Sequence, residues 1–164
     1  MIILGIDPGL ATMGWGIIET DGQKLRPIQY GTLGTPPGQP MPVRLRAIYD
    51  GVNQLLTTFK PQEIAFEELF FAHNVTTAFA VGAARGVALL ASAEYTSELF
   101  EYTPMQIKQA VTGYGKADKH QMQAMVRILL GLKEIPRPDD AADALGAAIT
   151  HAHSGAMREQ FRIH

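Results

Sequence analysis

The stretch MIILGIDPGLATMGWG, residues 1–16, is the segment around which this chain is organised. Residues 2–6 form the nearly continuous apolar run that is typical of a strand buried on both faces. Asp7 ends this run, and Pro8 and Gly9 suit the middle of a tight turn, because proline presets φ and glycine accepts positive φ. The sequence therefore predicts a central strand that ends on a carboxylate, at the edge where open α/β sheets bind ligands.

Asp7 also has a simpler interpretation, in which it only begins the turn. Asp is common at that position because its side chain hydrogen bonds to the main chain nearby. The choice between turn residue and functional residue depends on whether other acids reach the same edge of the sheet.

The composition is that of one ordinary globular domain. With 164 residues, 46% of them hydrophobic and 18% charged, the chain can bury a hydrophobic core without the help of disulfides or structural metal ions. It has no cysteine, which excludes disulfides and thiolate metal sites. No apolar run approaches membrane-spanning length, so we expect a cytoplasmic protein without a membrane partner. We expect one domain over residues 1–153 and a polar tail, residues 154–164, that frays.

The rest of the chain alternates between predicted strands and helices. Asp21-Gly22 is a two-residue hairpin signal, so the first strands are expected to be antiparallel. The later order of strand, helix and strand predicts a right-handed crossover and parallel pairing in part of the sheet. The predicted strands are residues 2–6, 15–19, 24–33, 64–66 and 99–102, and the predicted helices are residues 43–59, 75–93, 104–111, 119–130 and 138–153.

Acidic residues are predicted to converge on one edge of this sheet. Glu67 follows the second buried strand, and the last helix begins with Asp139 and Asp140 and continues to Asp143. The helix dipole accounts for acids in a first turn, at about 0.3–1 kcal/mol each. Asp143 lies a turn inside the helix, where Asp is a poor helix former, and shares a face with Asp140. The candidate cluster is therefore Asp7, Glu67, Asp140 and Asp143.

Carboxylates gathered in this way favour a divalent cation. Two of them about 4 Å apart repel by about 4 kcal/mol at an effective dielectric near 20, so several cannot stay ionised together without cations. All-oxygen ligation without His or Cys suits Mg²⁺ or Mn²⁺. Two such ions on either side of a phosphate are a standard arrangement for phosphodiester cleavage.

One region of the chain is basic although the formal net charge is −2. Residues 105–137 contain two acids, Asp118 and Glu134, and a larger number of basic side chains. Lys and Arg beside a metal-loaded acidic pocket would hold a phosphate backbone, so the predicted partner is a nucleic acid. The basic residues are Lys108, Lys116, Lys119, Arg127, Lys133 and Arg137.

Several motifs of the chain are similar to those of the RuvC family, the bacterial Holliday junction resolvases. They occur in order from the first strand to about His153 and are specific as a set. The motifs are Ile6-Asp7-Pro8-Gly9, Gly14-Trp15-Gly16, Phe66-Glu67-Glu68-Leu69-Phe70, Ala84-Arg85-Gly86-Val87-Ala88, Gln106-Ile107-Lys108-Gln109 and Asp140-Ala141-Ala142-Asp143-Ala144-Leu145.

The resemblance implies an α/β fold of the ribonuclease H-like type, with a five-stranded mixed β-sheet flanked by α-helices. It implies a homodimer that nicks two strands of like polarity at a four-way DNA junction, in homologous recombination and DNA repair. RuvA and RuvB, the branch-migration proteins, are implied as partners. The catalytic and metal-binding acids would be Asp7, Glu67, Asp140 and Asp143, with two Mg²⁺ ions in each active site and Mn²⁺ as a substitute.

A further set of side chains is expected to bind DNA. Lys108 and Lys119 match basic positions that lie beside the scissile phosphate in the family. Phe70 matches an aromatic that touches bases at the junction centre, although a core position is the alternative. His73 stands where the family often has lysine, which would make its DNA contact weaker or dependent on pH. The remaining expected DNA-binding residues are Asn74, Arg85 and Lys116.

The helix that begins at Val75 resembles the dimer-forming element of the family. Gly82 and Gly86 lie one turn apart on its apolar stripe and permit close approach, either to the sheet or to a second subunit. The resemblance favours the subunit contact. His151 and His153 do not share a helical face, and we expect both at the surface without a metal role.

Three other functions fit parts of this pattern. An actin-like ATPase or sugar kinase also has a first strand that runs into an acid and a glycine turn, but it needs two copies of the domain. A junction-binding module without activity would use the acids only for capping and solubility. A related nuclease that cleaves RNA–DNA hybrids would share the metal site.

Overall fold

The computed structural model, which describes residues 1–69 and 75–164, has a five-stranded mixed sheet in the order β3-β2-β1-β4-β5. This arrangement confirms the predicted fold class. The strands are β1 (Ile2–Asp7), β2 (Thr12–Thr20), β3 (Leu25–Gly34), β4 (Glu63–Glu67) and β5 (Leu99–Tyr102). The helices are α1 (Met41–Phe59), α2 (Val75–Tyr95), α3 (Pro104–Thr112), α4 (Lys119–Leu130) and α5 (Asp139–Ser154), followed by a 3-10 helix at Gly155–Phe161.

The central strand β1 is buried on both faces, which explains its continuous apolar sequence. Leu4 points into the core formed with α1 and α2, and Ile3 points into the core formed with α3, α4 and α5. β1 pairs antiparallel with β2 and parallel with β4, where Ile6 is opposite Phe66. This register brings the last residues of β1 and β4, Asp7 and Glu67, to the same edge of the sheet.

Helix α5 lies directly on β1 and β2 because glycines in these strands leave room for its backbone. A Cβ atom at Gly5 would overlap the carbonyl oxygen of Ala144, and one at Gly14 would overlap the carbonyl oxygen of Asp140. Since only glycine permits such an approach, the two positions fix how closely α5 packs on the sheet. The first turn of α5 is thereby held beside the end of β1. The sequence pattern did not predict this contact.

The C-terminal residues form a 3-10 helix and contacts with the sheet, whereas their polar composition predicts a frayed tail. The 3-10 helix packs Phe161 against Tyr102, with ring centroids 4.7 Å apart. Ile163 donates its backbone N–H to the carbonyl oxygen of Leu99 at 2.9 Å, and Arg162 binds the carboxylate of Glu98 at 3.0 Å. Residues 155–164 thus cover the edge of β5, where an unpaired strand would otherwise be exposed. The domain boundary at residue 153 stays a prediction.

His151 is buried, so the prediction that it lies at the surface is wrong. Its Nδ1 lies 2.7 Å from the hydroxyl of Tyr102, and its Nε2 lies 2.5 Å from the carboxylate of Glu63. Arg158, in the 3-10 helix, binds the same carboxylate at 3.3 Å. The C-terminal residues cover this side of α5. The periodicity of α5 alone could not predict that another segment would bury His151.

Helix α2 corrects the statement that no apolar run approaches membrane-spanning length. It has 21 residues, and its most apolar 18-residue segment has a mean hydropathy of 1.5, which by length and composition would be enough to cross a membrane. One side of the helix packs on the sheet through Ala84, Ala88 and Ala91. Only 22% of its most apolar segment is buried, so much of this helix presents an apolar surface outward.

Candidate active site

Three carboxylates meet at the edge of the sheet where β1 and β4 end. Asp7, Glu67 and Asp143 each offer an oxygen atom, and these atoms all lie within 4.8 Å of one another. Asp7 and Glu67 are placed by the parallel pairing of β1 and β4, whereas Asp143 comes from the second turn of α5. All three side chains are half-buried. The sequence prediction that these acids converge corresponds to this arrangement.

Asp140 lies one turn before Asp143 on α5 and is half-buried. It is not among the three acids whose oxygen atoms lie within 4.8 Å of one another. Its negative charge nevertheless raises the pKa values of both Asp7 and Glu67. Asp140 is therefore an acid at the border of the cluster.

The carboxylates of the cluster repel one another when no cation lies between them. Burial is the main cause that raises the pKa of Asp7, and the charges of Glu67 and Asp143 raise it further. Burial also raises the pKa of Glu67, and it raises the pKa of Asp143 to about 6. Asp7 and Glu67 are hydrogen bonded to each other, which favours a proton on Asp7. Such a cluster retains protons that a cation would replace.

The donor set fits a hard divalent cation. Asp7, Glu67 and Asp143 supply only carboxylate oxygens, and the pocket lies at the surface of the sheet edge rather than in the core. Mg²⁺ and Mn²⁺ prefer such ligands and usually keep several waters. The acidic group in this protein is therefore able to bind a metal ion.

The turn after Asp7 is held by a buried threonine that the sequence analysis did not single out. The hydroxyl of Thr35 donates to the carbonyl oxygen of Leu10, and the backbone N–H of Thr35 donates to the carbonyl oxygen of Ala11 at 3.0 Å. Arg44 donates to the Thr35 hydroxyl at 3.0 Å and to its carbonyl oxygen at 3.2 Å. Thr35, just after β3, and Arg44, in α1, thus fix the turn that follows Asp7.

Two lysines lie beside the acidic cluster. The positive charges of Lys108 and Lys119 both lower the pKa of Asp143, and that of Lys108 also lowers the pKa of Glu67. Lys108 is on α3, which begins with a capping box at Thr103, and Lys119 is the first residue of α4. The lysines therefore line the border of the acidic pocket.

The family model for "Crossover junction endodeoxyribonuclease RuvC" matches residues 3–151, which is nearly the whole described fold. This chain belongs to the RuvC family. A RuvC of Rubrobacter xylanophilus is 58% identical over 156 residues, covering 95% of this chain and 87% of that protein. A RuvC of Alkaliphilus oremlandii is 53% identical over 163 residues and covers 99% of both chains.

Solved RuvC structures have the same fold. The structure of Thermus thermophilus RuvC in complex with Holliday junction substrate aligns with a TM-score of 0.92 at 39% identity, covering 99% of this chain and 98% of that one. The ribonuclease H-like fold that the resemblance to RuvC implied is thus confirmed. The yeast mitochondrial resolvase Ydc2, at 15% identity and a TM-score of 0.69, shares this fold.

The other side chains expected to contact DNA in this RuvC family member lie in different surroundings. Lys116 is exposed on the loop between α3 and α4. Arg85, on α2, is half-buried and its guanidinium binds the carboxylate of Glu101 on β5, with Nε at 3.1 Å. Phe70, His73 and Asn74 lie outside the described residues, so their expected DNA contacts stay predictions.

Proposed function

We propose that this protein is a metal-dependent endonuclease that resolves four-way DNA junctions by paired nicks in strands of like polarity. The observation that carries the proposal is the approach of Asp7, Glu67 and Asp143 to within 4.8 Å in a chain of the RuvC family. The aligned Thermus thermophilus RuvC is bound to a Holliday junction substrate, which supports the same substrate class here.

In phosphodiester hydrolysis the acids would bind the metal ions and the lysines would bind the DNA backbone. Asp7, Glu67 and Asp143 would hold the cation, and Asp140 would add negative charge or a further ligand at its border. A divalent cation bound there would make water a better nucleophile and would stabilise the leaving oxygen. We assign two Mg²⁺ ions to each site, with Mn²⁺ as a substitute. Lys108 and Lys119 would hold the phosphate backbone across this pocket.

A homodimer would give the paired nicks. Along α2, the exposed fractions of Val75, Phe79 and Leu90 are 71%, 77% and 55%. A Cβ atom at Gly82 or Gly86 would have no neighbour within 4 Å in the described part of the chain, so neither glycine is explained by packing on its own sheet. An isologous contact along α2 would place two identical active sites on a junction with approximate two-fold symmetry.

The remaining assignments follow the family resemblance. We propose Phe70, His73, Asn74, Arg85, Lys108, Lys116 and Lys119 as DNA-binding residues. We also propose that the protein acts with RuvA and RuvB in the cytoplasm, in recombination and repair. For Arg85 to contact DNA, its guanidinium would have to share or leave Glu101, because the two side chains now bind each other.

Cleavage of a synthetic four-way junction tests the proposed function. Wild-type protein should cut the junction symmetrically with Mg²⁺ and should not cut it with EDTA. Asp7→Asn should bind the junction but lose cutting, whereas Asp50→Asn, an exposed acid on α1 with 60% side-chain exposure, should cut normally. Binding without metal-dependent cutting by the wild type would instead favour a junction-binding module.

A hybrid-cleaving nuclease and an ATPase would behave differently from a junction resolvase in such assays. Faster cleavage of an RNA–DNA hybrid than of the junction would make the protein a nuclease of different substrate. ATP turnover by the purified protein would favour the actin-like ATPase or sugar kinase interpretation.

A further inference from the structure

Asp139 makes more contacts than an acid that only interacts with a helix dipole. Its Oδ2 lies 2.7 Å from Nζ of Lys119, and its Oδ1 accepts a hydrogen bond from Nε2 of Gln123 at 2.9 Å. Both carboxylate oxygens of Asp139 are therefore used, and both partners belong to α4. The contact joins the first residue of α5 to the first turns of α4.

The two partners of Asp139 differ in mobility. Gln123 is buried, with 8% exposure, and the start of α4 is fixed by a capping box between Asp118 and Gln121. The side chain of Lys119 is 60% exposed, so it would be free to adopt many rotamers if nothing held it. Gln123 thus orients the Asp139 carboxylate, and the carboxylate in turn orients the Lys119 ammonium.

The orientation of Lys119 matters because of what lies beside it. Asp139 is four positions before Asp143 on the same helix, and the charge of Lys119 acts on Asp143. An ion pair as exposed as Lys119–Asp139 adds little to folding stability. An extra carboxylate at this place also opposes the approach of a DNA backbone. The helix dipole favours an acid at this position, but neither the dipole nor affinity for DNA explains why both oxygens of Asp139 are bound to α4.

We propose that Asp139 is a positioning residue that holds the Lys119 ammonium beside the acidic cluster, in the place where it meets the scissile phosphate. The inference rests on the proposed function. Asp139 touches neither the phosphate nor the reacting water, and it acts only through Lys119. Its loss should therefore slow cleavage without weakening the binding of the junction.

Single-turnover cleavage of a four-way junction with Mg²⁺, together with junction binding in Ca²⁺, separates these effects. Asp139→Asn should lower the cleavage rate about tenfold, because a small misplacement of a positioned group is costly. It should leave the junction Kd unchanged or lower it. Glu134→Gln, which removes another acid from the basic region, should keep the wild-type rate.

A double-mutant cycle shows whether Asp139 acts through Lys119. In a Lys119→Met background, Asp139→Asn should change the rate by less than about twofold, because coupled residues are not additive. A full tenfold loss in that background would overturn the proposal, as would weaker junction binding at an unchanged cleavage rate. Equal melting temperatures of wild type and Asp139→Asn exclude misfolding as the cause.

A measurement that needs no cleavage keeps this inference separate from the proposed function. Acetylation of Lys119 by acetic anhydride, followed by mass spectrometry, should be several-fold faster in Asp139→Asn than in wild type. Lys116, which is exposed nearby, should react equally in both proteins. Unchanged Lys119 reactivity would overturn the positioning role even if the junction is cleaved. Faster reactivity without any cleavage by the wild type would instead reject the proposed function while retaining the contact.

Discussion

The carbonyl oxygen of Asp140 in α5 lies against Gly14 of β2 so closely that the glycine has no room for a Cβ atom. This contact sets the distance between the first turn of α5 and the sheet. Because Asp143 lies one turn further along α5, the same contact determines whether its carboxylate reaches Asp7 and Glu67. One glycine in a strand thus helps to assemble the acidic cluster.

Gly14→Ala should displace the start of α5 and abolish most of the cleavage activity. The added methyl group overpacks the contact with Asp140, which costs about 1–3 kcal/mol of stability. Urea unfolding measures the stability, and junction cleavage measures the activity. Gly34→Ala is the matched control, because a Cβ atom there would only approach the Ala11 carbonyl oxygen at 3.8 Å. Equal activity of Gly14→Ala and Gly34→Ala would contradict the role of this contact.

Asp7→Asn should stabilise the metal-free protein while it removes activity. Asp7, Glu67 and Asp143 ionise near pH 4 in the unfolded chain, but burial and mutual repulsion raise their pKa values in the folded protein, that of Asp143 to about 6. Their contribution to stability is therefore present below pH 4 and is lost as the pH rises through the folded values. Removing one acid should therefore increase the free energy of unfolding of the metal-free protein at pH 8.

Thermal unfolding in EDTA checks the effect of Asp7→Asn. At pH 8 the variant should melt higher by roughly 2–4 °C for each 1 kcal/mol gained, with a smaller difference at pH 5. Adding Mg²⁺ should raise the melting temperature of wild type more than that of the variant, because a bound ligand stabilises the folded state. A lower melting temperature of the variant in EDTA would show that Asp7 stabilises the fold.

His151→Ala should destabilise the protein by about 1–3 kcal/mol, since it leaves the buried Glu63 carboxylate without one of its hydrogen-bond partners. Arg158 would still bind that carboxylate. His153→Ala, an exposed neighbour on the same helix, is the control and should change stability little. Chemical denaturation of the three proteins at pH 7.5 measures the difference. Equal midpoints would mean that the buried contacts of His151 contribute no net stability.

The same histidine should make stability depend on pH. Burial lowers the pKa of His151, and the groups that face it are Glu63, Tyr102, Arg158 and Glu159. Because the unfolded chain takes up this proton near pH 6.5 and the folded protein resists it, the contribution of His151 is present above pH 6.5 and is lost as the pH falls further. The difference in unfolding free energy between wild type and His151→Gln should therefore shrink between pH 7.5 and 5. An unchanged difference would show that His151 does not titrate in this range.

Phe79→Glu should convert the proposed dimer into monomers. Phe79 is 77% exposed on α2, so a charge there should leave the folded subunit intact but oppose an apolar contact with a second copy. Sedimentation velocity would show the change in mass, and circular dichroism would show that the subunit stays folded. Ile128→Glu, at a 57% exposed position on α4, is the matched control. A wild-type protein that sediments as a monomer would contradict the dimer directly.

The strands, the helices and the acids that belong together were predictable from the amino-acid sequence. Apolar runs that end on Asp7 and Glu67 mark two buried strands, and parallel strands bring their ends to one edge. The position of Asp143 inside a helix, where Asp is unfavourable, predicts a functional role for it. These features can be predicted from the sequence because each depends on local spacing and on the chemistry of one side chain.

The contacts that hold those acids in place could be seen only in the folded chain. The close approach at Gly14, the Thr35 hydrogen bonds, the burial of His151 and the pairing of Asp139 with Lys119 each join segments that are distant in the sequence. The hydrophobic periodicity of the sequence cannot predict such a contact, because the contact depends on how closely two elements pack and on which surface another segment covers. The sequence therefore predicted which acids come together, and the packing of α4, α5 and the C-terminal residues determined their geometry.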